Sequence, residues 1–142
     1  MYKHIVAASL LILAAACASQ LETKPAASGS DGVDALVARR AEARWQHLID
    51  KQYGLAYDYM SPGFRSVTSK DAYVRSTAST QVRWRTARVQ DVDCQEQDVC
   101  RLFIDVKSEV KIPATGGEML VPTPTKERWI RSGNEWYFLP EQ

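Results

Sequence analysis

Two cysteines, Cys94 and Cys100, are the residues whose type and spacing most directly suggest chemistry in this chain. Paired thiols at such short spacing either form a disulfide or contribute to a metal site. A metal site needs further ligands, and beyond the first 16 residues the sequence contains a single histidine, His47. The sequence therefore predicts a Cys94–Cys100 disulfide, with a stabilisation of roughly 2 kcal/mol for so short a loop. No metal and no other cofactor is expected.

A third cysteine, Cys17, follows an apolar run over residues 5–13 and three alanines. Lys3 and His4 provide a basic start, and this order is typical of a secretory signal peptide. The run is too short for a membrane-spanning helix, which needs roughly 20 apolar residues. The segment resembles the lipobox of bacterial lipoproteins, in which a diacylglycerol is attached to the cysteine and cleavage leaves that cysteine first. The alternative is a plain signal peptide with a chance cysteine near its cut site.

This resemblance implies a signal peptide over residues 1–16 and a lipidated N-terminus at Cys17. Residues 17–32 are rich in Ala, Ser, Gly and Thr, a composition typical of a flexible tether. Two or more acyl chains hold a protein firmly on a membrane. Ala18 after the cysteine implies, by the same resemblance, a lipoprotein of the outer membrane that faces the periplasm. An exported location also agrees with the predicted disulfide.

Length and charge limit the function classes that remain. The chain has 142 residues, and removal of the leader leaves roughly 125, enough for one domain. The 18 basic and 17 acidic residues become 17 and 17 once Lys3 is removed, so the mature chain is formally neutral. A neutral, exported domain is not expected to bind nucleic acid, despite a short basic stretch formed by Arg83, Arg85 and Arg88.

A long amphipathic helix is predicted near the start of the domain, because apolar residues recur there every three or four positions. Asp31 is a suitable N-cap and Gly54 a suitable stop. The predicted buried face comprises Val33, Leu36, Val37, Ala41, Trp45, Leu48 and Ile49. The predicted charged face comprises Arg39, Arg40, Glu42 and Arg44.

Two shorter helices are predicted after the long one, over residues 55–60 and 70–76. Ser69 is a suitable N-cap for the second of them. Between them, residues 61–63 read Ser-Pro-Gly, a composition that predicts a turn.

From Gln81 onward the periodicity changes to two, which indicates strands. The clearest strand alternates Leu102, Ile104 and Val106 with residues that are charged apart from Phe103, as in an antiparallel strand with one solvated face. Residues 113–124 contain Pro and Gly and are predicted to form a loop. A final hairpin is predicted over 125–139, with its turn at 132–134.

Helices followed by hairpin-linked strands predict an α+β fold, with N-terminal helices packed on a curved antiparallel sheet. The chain resembles the nuclear-transport-factor-2-like superfamily, a cone-shaped roll, over a domain at 33–142. The segments that carry the likeness are YGLAY (53–57), SPGFR (61–65), ERWI (127–130) and GNEWY (133–137), together with Trp45 and Leu48. The resemblance implies a pocket between the helices and the concave sheet face, where some members catalyse proton transfer.

The aromatic residues either line that pocket or fill the core. The candidates for its lining are Trp45, Tyr57, Trp84, Trp129 and Trp136. An isomerase-like site would also need a carboxylate base and an acid. Candidates for those roles are Tyr53, Tyr57, Tyr59, Tyr73, Asp58 and His47, but no spacing selects a catalytic residue among them. We therefore expect a non-enzymatic domain that binds an envelope protein or a small apolar ligand, with an isomerase- or cyclase-type enzyme as the alternative.

Overall fold

The computed structural model describes residues 29–141, which form an α+β fold. Helices come first and an open, curved antiparallel sheet of four strands follows, in the order β1-β2-β3-β4, as predicted. The elements are α1 Gly29–Ile49, α2 Tyr53–Tyr57, α3 Pro62–Val67, α4 Lys70–Ala78, β1 Arg83–Glu96, β2 Val99–Lys111, β3 Glu118–Ser132 and β4 Glu135–Leu139. The predicted signal peptide, lipidated Cys17 and most of the predicted tether lie outside the described residues.

Helix α1 packs its apolar side against the inner face of the sheet. Val37, Ala41, Trp45 and Leu48 are all buried, as their spacing predicted, but Leu36 of the predicted buried face is 40% exposed. The helix already includes Gly29, so Asp31 lies within its first turns and is not the N-cap. An acidic residue near a helix N-terminus suits the helix dipole as well inside the first turns as at the cap.

The end of α1 differs from the prediction. The helix ends at Ile49, and Lys51 adopts a left-handed backbone with a φ of 59°. The Lys51 N–H donates to the Leu48 carbonyl at 3.2 Å, and the Gln52 N–H donates to the His47 carbonyl at 2.8 Å. This is the Schellman arrangement, in which glycine usually occupies the left-handed position. The predicted stop, Gly54, lies inside α2 instead.

The short helices begin at side-chain caps. The predicted turn at 61–63 is the start of α3: the Ser61 hydroxyl accepts from the Phe64 N–H at 3.3 Å, and Pro62 takes the first helical position. The predicted cap of α4 is confirmed, because the Ser69 hydroxyl accepts from the Ala72 N–H at 3.2 Å.

The sheet confirms the alternation of β2 and corrects the predicted loop at 113–124. Leu102, Ile104 and Val106 are buried on the inner face. Strand β3, however, begins at Glu118, so its prolines at 122 and 124 lie within it, opposite β2. Strand β4 pairs with β3 only from residue 128 onward, so the other edge of β3 is open beside both prolines. Proline is tolerated on such an edge because its missing N–H need not pair.

The β1–β2 and β3–β4 hairpins are each held by a local feature. A disulfide joins Cys94 of β1 to Cys100 of β2. In the β3–β4 hairpin, Gly133 takes a φ of 62° at the first position of a two-residue turn. Glycine is favoured there because a positive φ costs it little.

Candidate functional site

Four of the five residues predicted as pocket lining are packed in the core. Trp45, Trp129, Trp136 and Tyr57 are all buried. Trp45 and Trp129 fill the space between α1 and the concave face of the sheet, where the prediction placed a pocket. The reason is steric, since indole rings from both layers occupy the volume that smaller side chains would leave open. The fifth, Trp84, is half-buried and lines a cleft described below.

The core contains a buried ion pair between Arg44 and Glu127, and Glu127 also accepts hydrogen bonds from Trp45 and Trp129. We call these four residues the Glu127 network. Glu127 Oε1 accepts from Arg44 Nη1 at 2.8 Å and from Trp45 Nε1 at 2.9 Å. Its Oε2 accepts from Trp129 Nε1 at 2.8 Å. The Glu127 and Arg44 side chains are only 2% and 7% exposed. Both carboxylate oxygens are therefore engaged inside the core.

The sequence interpretation missed this network and placed Arg44 on the charged face of the helix. Arg44 in fact lies next to Trp45 on the buried side, with its guanidinium carbon 3.9 Å from the centre of the Phe138 ring. One signal could have indicated the site. Glu127 and Trp129 are two residues apart in a strand and so must share a face.

Four of the six residues considered as acids or bases have a structural partner. Asp58 forms an exposed ion pair with Lys70 at 2.8 Å. The Tyr57 hydroxyl donates to the Thr68 carbonyl at 2.7 Å, and Tyr73 packs against the Tyr57 ring. His47 Nδ1 lies 2.9 Å from the side-chain oxygen of Gln52. The structure does not bring these groups together as an acid–base pair.

An open cleft lies where the end of α1, the start of α2 and the start of β1 meet. Its volume is about 250 Å³. We call it the α1–β1 cleft; its lining residues are Leu48, Lys51, Tyr53, Val82, Arg83, Trp84 and Arg85. Trp84 is held in place by Trp45, whose ring centre is 5.9 Å away in an edge-to-face arrangement. A second hollow, of about 480 Å³ over the uncovered ends of β1 and β2, shares Val82 and Arg83 with it.

The charge at the rim of this cleft is positive. Arg83 and Arg85 both bind Glu109 of β2, with Arg83 Nη1 3.1 Å from Oε1 and Arg85 Nε donating to Oε2 at 2.6 Å. The hydrogen bond from Arg85, aided by Arg83, lowers the pKa of Glu109 below its usual value of 4.5, against a smaller opposing effect of burial. Lys51 has no carboxylate within ion-pair distance among residues 29–141. Arg83 Nη1 also lies 3.7 Å from Glu118 Oε1, so three cations face two carboxylates.

The described part of the chain offers neither a metal site nor a membrane-spanning helix. Residues 29–141 contain no cluster of three or more His, Cys, Asp and Glu side chains that could bind a metal. Over the same range, every helix is too short or too polar to cross a membrane.

Comparisons with known proteins give a likeness in fold. No family model matches the chain, and no curated protein matches it. Solved structures that match include a SEC-C motif containing protein from Rhodopseudomonas palustris and another from Psychrobacter arcticus, each with a TM-score of 0.50 and 12% identity over 68% of this chain. The match spans 70% of the first protein but only 54% of the second. The fold is all that this identity shows.

These neighbours overturn the resemblance to the nuclear-transport-factor-2-like superfamily. The two structures named above are SEC-C motif containing proteins, a different fold family, and give no sign of a nuclear-transport-factor-2-like lipoprotein. The segments that suggested the likeness, such as ERWI at 127–130, reflect the packing of a helix on a sheet. Unrelated families share such packing, so it identifies none of them. Neither neighbour carries the name of an enzyme.

Proposed function

We propose that this chain is an exported, lipid-anchored protein of the cell envelope whose folded domain binds a ligand or partner without catalysing a reaction. The absence of catalysis is proposed because buried side chains fill the space between α1 and the sheet, where a substrate pocket was expected. The α1–β1 cleft, with its open mouth and half-buried tryptophan, is the surface that we assign to binding.

The Glu127 network supports a structural role for the buried carboxylate of this core. A general base must reach the proton that it removes, within hydrogen-bond distance of a bound substrate. Glu127 already accepts three hydrogen bonds from Arg44, Trp45 and Trp129, and its side chain is 2% exposed. A substrate would have to displace a guanidinium or an indole to reach it. The isomerase or cyclase alternative has no comparable support.

Export and anchoring are supported by the disulfide and by the N-terminal sequence. Disulfides persist in oxidising compartments such as the bacterial periplasm. The Cys94–Cys100 bond is therefore the arrangement that an exported domain would have. Cys17, at the end of an apolar leader, is the residue that we propose to be acylated.

Acyl labelling in bacterial cells tests the anchor. Cells fed an alkyne-bearing palmitate should incorporate the label into the wild-type chain, which should fractionate with membranes. Cys17→Ser should carry no label and should leave the membrane fraction. The matched control is the Cys94→Ser/Cys100→Ser variant, which also loses cysteines but should stay labelled. An unlabelled wild-type chain, or a Cys17→Ser chain that retains label, would contradict the proposal.

A further inference from the structure

We propose that the α1–β1 cleft takes a small organic anion: a carboxylate on an apolar body, with the carboxylate next to Lys51. This inference rests on the proposed binding function and names the ligand class of that same site. It follows from three features of the cleft: its apolar floor, the charge of its rim and the backbone of Lys51.

The floor of the cleft suits an apolar body of limited size. Leu48, Tyr53 and Trp84 line it, and the indole of Trp84 is fixed by its contact with Trp45. Ligand pockets usually measure about 300–1,000 Å³. At about 250 Å³ the cleft is slightly smaller than this range, so it suits a single ring or a short acyl chain better than a protein segment.

The rim supplies the charge that such a ligand would need. Three cationic side chains, Lys51, Arg83 and Arg85, line the cleft. The two arginines are matched by two carboxylates, because both pair with Glu109 and Arg83 also lies 3.7 Å from Glu118. The net positive charge therefore rests on Lys51, which has no carboxylate within ion-pair distance in the described part of the chain. A cleft lined by one sign of charge with low-dielectric walls attracts ligands of the opposite sign.

The backbone of Lys51 is the third feature. Residues with a side chain rarely adopt a φ near 59°, and glycine is the usual occupant of this position after a helix. Strained residues concentrate at ligand sites, where the side chain has a use that offsets the backbone cost. Lys51 combines such a backbone with a side chain that lines the cleft. That combination points to the ammonium group as a ligand contact.

Lys51 also has a purely structural explanation, which the test must separate. Its charge complements the negative end of the α1 dipole. If this were its only role, substitution of Lys51 would change the stability of the protein and leave its affinity for an anion unchanged.

Calorimetric titration with a matched pair of probes tests the inference. The full lipidated protein, in nanodiscs of zwitterionic lipid, is titrated with 4-phenylbutyrate and with 4-phenylbutanamide, which has the same body without the charge. Empty nanodiscs give the background. We expect the carboxylate to bind at least tenfold more tightly than the amide.

Two variants and one control assign the effect to Lys51. Glycine and asparagine both tolerate the left-handed backbone at this position. Lys51→Gly and Lys51→Asn should therefore weaken the binding of 4-phenylbutyrate at least fivefold and leave the affinity for the amide unchanged. Lys51→Gly should also raise the Tm of the free protein by a few degrees, which excludes misfolding as the cause. Arg39→Ala removes one charge from the exposed side of α1 and should change neither affinity by more than twofold.

Three results would overturn the inference: equal affinity for both probes, unchanged affinity in the Lys51 variants, or no binding of 4-phenylbutyrate at 5 mM. None of them bears on whether Cys17 carries acyl chains. Failure of this inference and failure of the proposed anchor are therefore distinguishable.

Discussion

The Glu127 network and the α1–β1 cleft both combine tryptophan with opposite charges, but they differ in what is left unpaired. In the network, both oxygens of Glu127 are engaged and all four side chains are buried, and Arg44 Nε is its one buried polar atom without a hydrogen-bond partner among the described residues. In the cleft, the tryptophan is half-buried and a lysine faces open space. The first arrangement stabilises a core, and the second leaves groups that a ligand can use.

This difference teaches that a buried carboxylate is not by itself an indication of catalysis. Burial makes an unpaired charge costly, so a fold retains one only with partners of good geometry. Glu127 has such partners, which explains its presence without a reaction. The reactive capacity of a site depends instead on groups that remain accessible.

The largest effect that we predict is on the free energy of unfolding, when the carboxylate charge of Glu127 is removed. Glu127→Gln should lower the free energy of unfolding by about 3–5 kcal/mol, because it leaves the Arg44 guanidinium buried without a counter-ion. Adding Arg44→Met should restore most of that loss, since no buried charge then remains. Chemical denaturation of the three proteins measures both steps.

An exposed ion pair on the same helix provides the control for that experiment. Glu135 pairs with Arg40 at 2.6 Å, but its side chain is 55% exposed. Glu135→Gln should therefore change the free energy of unfolding by less than about 1 kcal/mol. Two results would show that the network does not stabilise the core as described. One is an equal loss of unfolding free energy in Glu127→Gln and Glu135→Gln. The other is a Glu127→Gln/Arg44→Met variant that is less stable than Glu127→Gln.

A smaller effect is expected at the cleft, as a dependence of stability on pH. The pKa of Glu109 is lowered in the folded state, chiefly by the hydrogen bond from Arg85. Ionised Glu109 therefore stabilises the fold above about pH 4.5, its usual pKa, and this contribution is lost as the pH falls through the lowered value. Denaturation curves between pH 3 and pH 7 measure it.

The variants Glu109→Gln and Arg85→Met isolate this contribution from that of the other carboxylates. Each should be less stable than wild type at pH 7 and should approach it as the pH falls toward 3. A constant difference across the whole range would mean that Glu109 keeps its ordinary pKa and that the rim is not organised as described.

Much of the fold could be predicted from periodicity. The three- and four-residue spacing in α1 and the alternation in β2 identified the residues that meet in the core, because burial repeats with the geometry of each element. The prolines of β3 misled the prediction, since their tolerance depends on which edge of the sheet is open. Such information exists only once the strands are paired.

The sites were harder to predict for the same reason. Arg44 is polar, and the pattern assigned it to solvent; its burial depends on Glu127, which is far away in sequence. Lys51 carries no propensity for a left-handed backbone, so nothing in the sequence marked it as the end of α1. Of the aromatic residues proposed to line a pocket between the helices and the sheet, Trp84 instead lines the open α1–β1 cleft and Trp129 fills the core. Composition alone could not separate them.

The most direct test of the difference between the closed Glu127 network and the open α1–β1 cleft uses the four tryptophans of the chain as reporters. Their indole N–H signals can be followed by NMR during titration with 4-phenylbutyrate, with Trp84→Phe to assign one of them. The account predicts that the Trp84 signal shifts while those of Trp45 and Trp129, bound to Glu127, stay in place. A shift of the Trp129 signal with Trp84 unmoved would place the ligand in the core and contradict the account.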